Sequence, residues 1–254
     1  MAGVLGELVE AGAGSGWLGG GFELEFREPG GVLRRDALNV CSGELLEDAE
    51  PVRRFHFEKG GASFAGWRWL ATTGRHVGFE SWLERDHLTL MDFDPAIVAV
   101  AAQPFWLHWR DEAGKPRRHA PDYFARRRDG GGVVVDVRPD DRIPARDAEA
   151  FAVTSAACEM VGWEFRRVGV ADPVLMANVR WLSRYRHDRC RVPHLAAKLL
   201  AVFGECRELF AGVALAGDRL AVLPVAYHLL WRGDLSCDLA ARLGPGTMVR
   251  RGSR

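Results

Sequence analysis

Hydrophobic positions change period several times between Gly78 and Val170, and each change marks an element. "GFESWLERDHLTLMDFDP" places Phe79, Trp82, Leu83, Leu90 and Met91 at roughly helical spacing and stops at Asp94-Pro95, which predicts a helix. Short apolar runs bounded by turn residues follow and predict strands: "IVAVAA" after Pro95, "FWLHWR" after Pro104, "HAPDYFARR" after the turn "DEAGKP", and "GVVVDVR" after a glycine-rich turn. "ARDAEAFAVTSAACEMVG" reads as an amphipathic helix with a glycine terminator. "WEFRRVGV" reads as a further strand, reached through a helical crossover and therefore expected parallel to the fourth. The pattern predicts an α/β domain: a helix, an antiparallel β-meander, a helix and a closing strand.

The flanks read differently. "FELEFREPGGVLRRDAL" alternates around a Pro-Gly-Gly turn and predicts a hairpin, and the glycine-rich opening before it reads as a loose tail. No clear pattern follows up to Gly74. After Asp172-Pro173 the chain turns helical in "VLMANVRWLSRYRHDRC", "HLAAKLLAVFGECRELFAGVAL" and "DRLAVLPVAYHLLWRGDL", and ends in the short polar stretch "SCDLAARLGPGTMVRRGSR". The expected organisation is a tail and hairpin extension over 1–74, the α/β domain over 75–190, and a mostly helical domain over 191–254, beginning near Val192-Pro193. No internal repeat is visible.

Composition narrows the class. A chain of 254 residues with 48% hydrophobic and 27% charged residues has the make-up of an ordinary globular protein. The formal net charge of zero removes a global electrostatic footprint for nucleic acid and leaves room only for a local basic groove. Five widely spaced cysteines without a CxxC pair argue against a disulfide framework or zinc site and suit a reducing cytoplasm. No apolar run is long enough to span a bilayer, and the N-terminus lacks the basic start and long apolar stretch of a signal peptide. The expected location is cytoplasmic, with no membrane partner.

Two aspartates on consecutive strands carry the candidate chemistry. Asp136 follows Val133, Val134 and Val135, where burying a carboxylate is costly unless something compensates it. Asp122 lies just after Pro121, ahead of Tyr123 and Phe124. Across a hairpin-like pair the two carboxylates can converge, and Arg138, two residues beyond Asp136, shares its face. Two acids and a cation on one sheet surface suit a hard divalent ion and a scissile phosphate. The competing reading is structural: a turn aspartate after proline and a strand ion pair.

"PDYF", a turn and "VVVDVRP" resemble the PD-(D/E)xK nuclease signature. Together with "FESWLERDHLTLMDFDPAIVAVAAQPFWLHW" before it and "GWEFRRVG" after it, the run from Gly78 to Arg189 resembles the TnsA-like endonuclease subunit of heteromeric transposases. "AVLPVAYHLLWRGDLSCDL" resembles the C-terminal helical domain of that family more weakly. The resemblance implies a restriction-endonuclease-like mixed sheet flanked by helices, with a smaller, mostly helical, winged-helix-like C-terminal domain. By position it implies Asp122, Asp136 and the helix glutamate Glu84 as the acids that position the metal and its water, the Val137 carbonyl as a further ligand, and Arg138 as the residue that holds the phosphate. Glu80, one turn earlier, shares that face, and only the alignment prefers Glu84. The implied cofactor is Mg²⁺, with Mn²⁺ as substitute. The implied partners are double-stranded DNA, a DDE-type transposase subunit and an AAA+ ATPase regulator. Arg138 departs from the pattern, which has lysine there: arginine stays protonated and cannot act as a base, but its fork binds phosphate.

Three readings stay open: an endonuclease cutting transposon ends, a silent DNA-binding or assembly module with a nuclease fold, and a stand-alone restriction or defence nuclease. Secondary candidates are His87, His108 and His119 near the aspartates; Gln103, as a turn into the next strand or a DNA-facing amide; the run Arg126 to Arg128; and "NVRWLSRYRHDRCR", with Trp181 and Tyr185 among its arginines. Cys158, inside an apolar helix face, is expected in the core.

Overall fold

Strand β9 (Gly132–Val137) explains the apolar run around Asp136, because all six of its residues are buried. Val133, Val135 and Val137 pack into one cluster with Tyr123, Leu88 and Met91, while Val134 packs into another with Phe124, Val153, Ala157 and Trp163. A strand covered on both faces has no polar side to show, hence the unbroken valines.

The computed structural model describes residues 21–55, 64–141 and 143–252; the loose-tail reading for the glycine-rich opening falls almost wholly outside them. Up to Val170 the described elements are β1 (Glu23–Arg27), β2 (Leu33–Ala37), α1 (Leu38–Cys41), β3 (Gly66–Trp69), β4 (His76–Phe79), α2 (Trp82–Phe93), β5 (Ile97–Ala102), β6 (Phe105–Arg110), β7 (Pro116–His119), β8 (Tyr123–Arg127), β9, α3 (Ala145–Met160) and β10 (Glu164–Val168). The central sheet has the order β10-β9-β8-β5. Strand β8 is antiparallel to both β5 and β9, and the crossover through α3 makes β10 parallel to β9, as expected. A helix, three strands, a helix and a parallel fourth strand make a restriction-endonuclease-like α/β fold.

The expected continuous meander is corrected. Strands β6 and β7 leave the central sheet and join β1 and β2 in a second sheet of order β2-β1-β6-β7. Apolar alternation drives this: Leu24 lies opposite Leu107 and Phe26 opposite Phe105, all buried in the cluster that also covers Val134. The Pro-Gly-Gly hairpin of β1 and β2 forms as predicted, and it belongs to the same compact unit as the central sheet. Cys158 is buried in that core, and all five cysteines are free.

Chain contacts separate the residues up to Val170 from those from Ala171 onward. The second unit contains α4 (Pro173–Leu182), α5 (Pro193–Val202), β11 (Arg207–Glu208), α6 (Leu209–Ala216), α7 (Arg219–Arg232), β12 (Leu235–Cys237) and β13 (Met248–Arg251). The helix α4, placed by the sequence reading in the first domain, is tied to the second. Asn178 Nδ2 donates to the Leu239 and Ala241 carbonyls at 2.9 and 2.8 Å, and its Oδ1 accepts from the Leu243 N–H at 3.0 Å. From α5 onward the order helix, strand, helix, helix, strand, strand, with the sheet β11-β13-β12, is winged-helix-like. No described helix is long and apolar enough to cross a membrane.

Candidate active site

The last paired residues of the β8–β9 ladder are Tyr123 and Val135, so the next step places Asp122 across from Asp136. Residues directly opposite in an antiparallel pair share a face and lie close together. The junction is closed by a hydrogen bond: the Val137 N–H donates to Asp122 Oδ2 at 2.7 Å. The Asp122 carbonyl in turn accepts from the Gln103 N–H at 2.8 Å. Asp122 is thus pinned through its backbone and one carboxylate oxygen, while Oδ1 has no hydrogen-bond partner among the described residues. Burial, then the charges of Asp136 and Glu84, push its pKa up to about 8, against the opposing pull of the Val137 N–H and Arg138.

Asp136 is 2% exposed. His119, at the end of β7, donates from Nε2 to both its oxygens at 2.9 Å. The second sheet delivers this imidazole, and the Phe151 ring of α3 packs edge-on against it at 6.0 Å between centroids. Burial lowers the His119 pKa, but the charge and hydrogen bond of Asp136, with the charge of Asp122, outweigh it and leave the value raised. The sequence reading weighed this histidine as a base or as a plain hydrogen-bonding residue, and the second describes what it does for Asp136. The signal was its place three residues before Asp122, and the pairing itself depends on β7 belonging to the other sheet.

Glu84 caps α2. Ser81 is the N-cap and accepts from the Glu84 N–H at 3.1 Å, while Glu84 accepts from Ser81 Oγ at 2.8 Å and from the Glu80 N–H at 2.7 Å. This is a variant of the capping box, reaching one residue further back. Burial raises the Glu84 pKa despite these bonds. Glu84 therefore stands in the electrostatic field of Asp122 with each oxygen already engaged. Glu80 points elsewhere, to Arg53, at 2.7 Å.

Arg138 is about half exposed and pairs through Nε with Asp147, in the first turn of α3, at 3.2 Å. Its charge also acts on Asp122 and Asp136. Other candidates are engaged away from these acids. His87 Nε2 donates to the Gly169 carbonyl at 2.7 Å and His108 Nε2 to Glu25 at 2.9 Å. Arg126 is held by Glu47 at 2.8 Å, Arg127 by Asp129 and Glu164 at 3.1 and 3.3 Å, and Arg128 by the Pro95 carbonyl at 3.2 Å. The expected basic run is thus spent on local contacts. Gln103 is 2% exposed, which overturns the DNA-facing amide. In the second unit Trp181, Tyr185 and Tyr227 do cluster, with the Arg184 guanidinium 5.0 Å from the Trp181 ring centre.

Among the described residues no group of three or more His, Cys, Asp or Glu side chains is placed to hold a metal ion by itself. The donor set nevertheless fits Mg²⁺, which commonly takes one or two protein carboxylates and completes its shell with water and phosphate. Asp122 offers an unengaged oxygen beside a second carboxylate, in a buried site where the charges of Asp136 and Glu84 add to burial in raising its pKa.

The sheet order, the crossover helix and two facing aspartates at the strand ends define a nuclease fold of the PD-(D/E)xK kind. Residues 94–168 match the family model described as TnsA-like endonuclease N terminal. This segment, which holds Asp122, Asp136 and Arg138, is a TnsA-like endonuclease domain. No curated protein matches the chain.

Proposed function

We propose that the protein is a Mg²⁺-dependent DNA endonuclease that hydrolyses phosphodiester bonds at transposon ends, working with a DDE-type transposase subunit and an AAA+ regulator. One observation carries the chemistry: the register that pairs Tyr123 with Val135 sets Asp122 opposite Asp136 at the end of the ladder, and the Val137 N–H donates to Asp122. Asp122 and Asp136 would hold the cation, and the Val137 carbonyl would add a further ligand. A bound divalent ion would lower the pKa of its water to yield a nucleophile and offset charge growing on the leaving oxygen. His119 fixes the orientation of Asp136 through its two hydrogen bonds. Glu84 adds negative charge behind Asp122 while capping its helix. Arg138 would bind the scissile phosphate by exchanging Asp147 for a phosphate oxygen, and being permanently protonated it clamps rather than abstracts a proton.

The test is cleavage of a transposon-end duplex with Mg²⁺ or Mn²⁺. Asp136→Ala should abolish cutting and keep the wild-type circular-dichroism spectrum; undiminished nicking by that variant would remove the proposal.

The second reading is a catalytically silent assembly module. It is favoured by the engagement of both Asp136 oxygens with His119 and of Arg138 with Asp147. DNA binding with no cleavage in either metal, even with the partner subunits present, would select it.

A further inference from the structure

We propose that Arg53 and Gln103 form a clamp that positions Asp122 and Glu84 relative to one another, making the segment before the nuclease core a working part of the site. The inference rests on the nuclease reading above. Gln103 is the only non-glycine residue with positive φ among the described residues, at 47°, and it is almost fully buried. A side chain held there is strained and persists only when its surroundings over-determine it. Four hydrogen bonds do so. The Gln103 N–H donates to the Asp122 carbonyl at 2.8 Å, and its carbonyl accepts from the Val52 N–H at 2.9 Å. With the amide oriented so that its nitrogen faces the Arg53 carbonyl, that nitrogen donates at 3.1 Å and the amide oxygen accepts from Arg53 Nη2 at 3.0 Å.

Arg53 continues the chain outward. Its guanidinium grips Glu80 with a fork of contacts at 2.7 and 3.1 Å, and the Glu80 N–H donates to Glu84 at 2.7 Å. One connected path therefore runs from Asp122 through Gln103, Arg53 and Glu80 to Glu84. A turn alone would be served by glycine, which adopts this φ freely. What glutamine adds is the pair of bonds to Arg53, and what Arg53 adds is the one path in this set that joins the sheet end to the helix N-terminus. Its positive charge also offsets that of Glu84 and Glu80.

The clamp predicts that ion binding and turnover depend on residues that never touch the ion. In the full chain, Arg53→Met and Gln103→Gly should weaken Mn²⁺ binding, read by calorimetric titration, on the order of tenfold. Both should lower kcat more than they raise the KM for DNA. Gln103→Gly relieves the backbone strain, so its melting temperature should hold or rise while its affinity falls. Arg53→Lys keeps the charge and should recover part of the loss. Wild-type Mn²⁺ affinity and kcat in both variants would overturn the clamp. So would affinity and melting temperature collapsing together with no recovery in Arg53→Lys, since the contacts would then serve folding alone. Asp122→Ala and Asp136→Ala serve as controls: unchanged Mn²⁺ binding in both would overturn the nuclease reading itself, and the clamp with it.

Discussion

Replacing Asp122 with asparagine should stabilise the metal-free protein at alkaline pH. The folded state holds this carboxyl at about 8, against an ordinary value of 3.8. An acid with a raised folded pKa contributes stability that is complete below its unfolded pKa and is lost as pH climbs through the folded one. Between those values the folded protein keeps a proton that the unfolded chain has released, so rising pH favours unfolding. At pH 7 the penalty is at most about 4 kcal/mol. Relaxation and water penetration reduce such burial costs, so a gain of roughly 1–3 kcal/mol is expected for Asp122→Asn at pH 8. The raised pKa of His119 acts in the same direction, its contribution fading as pH rises past its folded value, and its larger upward causes come from Asp136, which both proteins keep. The asparagine oxygen can still accept from the Val137 N–H, which isolates the charge from the hydrogen bond. The assay is urea unfolding in EDTA at pH 5 and pH 8, then with excess Mg²⁺. The variant should exceed the wild type at pH 8, the gap should shrink at pH 5, and Mg²⁺ should stabilise only the wild type. A variant less stable than the wild type at both pH values would refute the electrostatic reasoning.

Two further outcomes follow from the same geometry. Arg138→Lys, measured as Mg²⁺-dependent cleavage against pH, should raise the rate above pH 8 if a neutral amine can assist there; a rate unchanged across the pH range would assign position 138 to phosphate binding alone. Gly132→Ala should lower urea stability by about 1–3 kcal/mol, because a Cβ there would lie 2.7 Å from Trp163 Cδ1 and 2.9 Å from Phe124 Cε2, both fixed in the core. Its pH dependence should match that of the wild type, which separates packing from charge.

The parts of this fold visible in the sequence are those whose signal is local. The valines of β9 announced a strand, Gly162 ended α3, and the crossover fixed the parallel direction of β10. Asp122 and Asp136 could be paired because a single turn joins their strands. What stayed hidden depends on distant partners. Nothing within "FWLHWR" says that Leu107 pairs with Leu24 rather than with its chain neighbours. Arg53 sits in a stretch without periodicity, and its bonds to Gln103 and Glu80 leave no spacing to read. Strands β12 and β13 were missed because only Leu235 and Val249 in them are buried, too few to set a period.

The two-sheet arrangement also dictates an order of assembly. The hairpin of β8 and β9 closes over a short span, whereas Glu23 must wait for His108, and Val52 for Gln103, to leave the ribosome. Loops closed over long spans form late. On span alone the carboxylate pair closes sooner than the contacts that support it, although Val52, Gln103 and His108 all lie N-terminal to both acids and have left the ribosome before them.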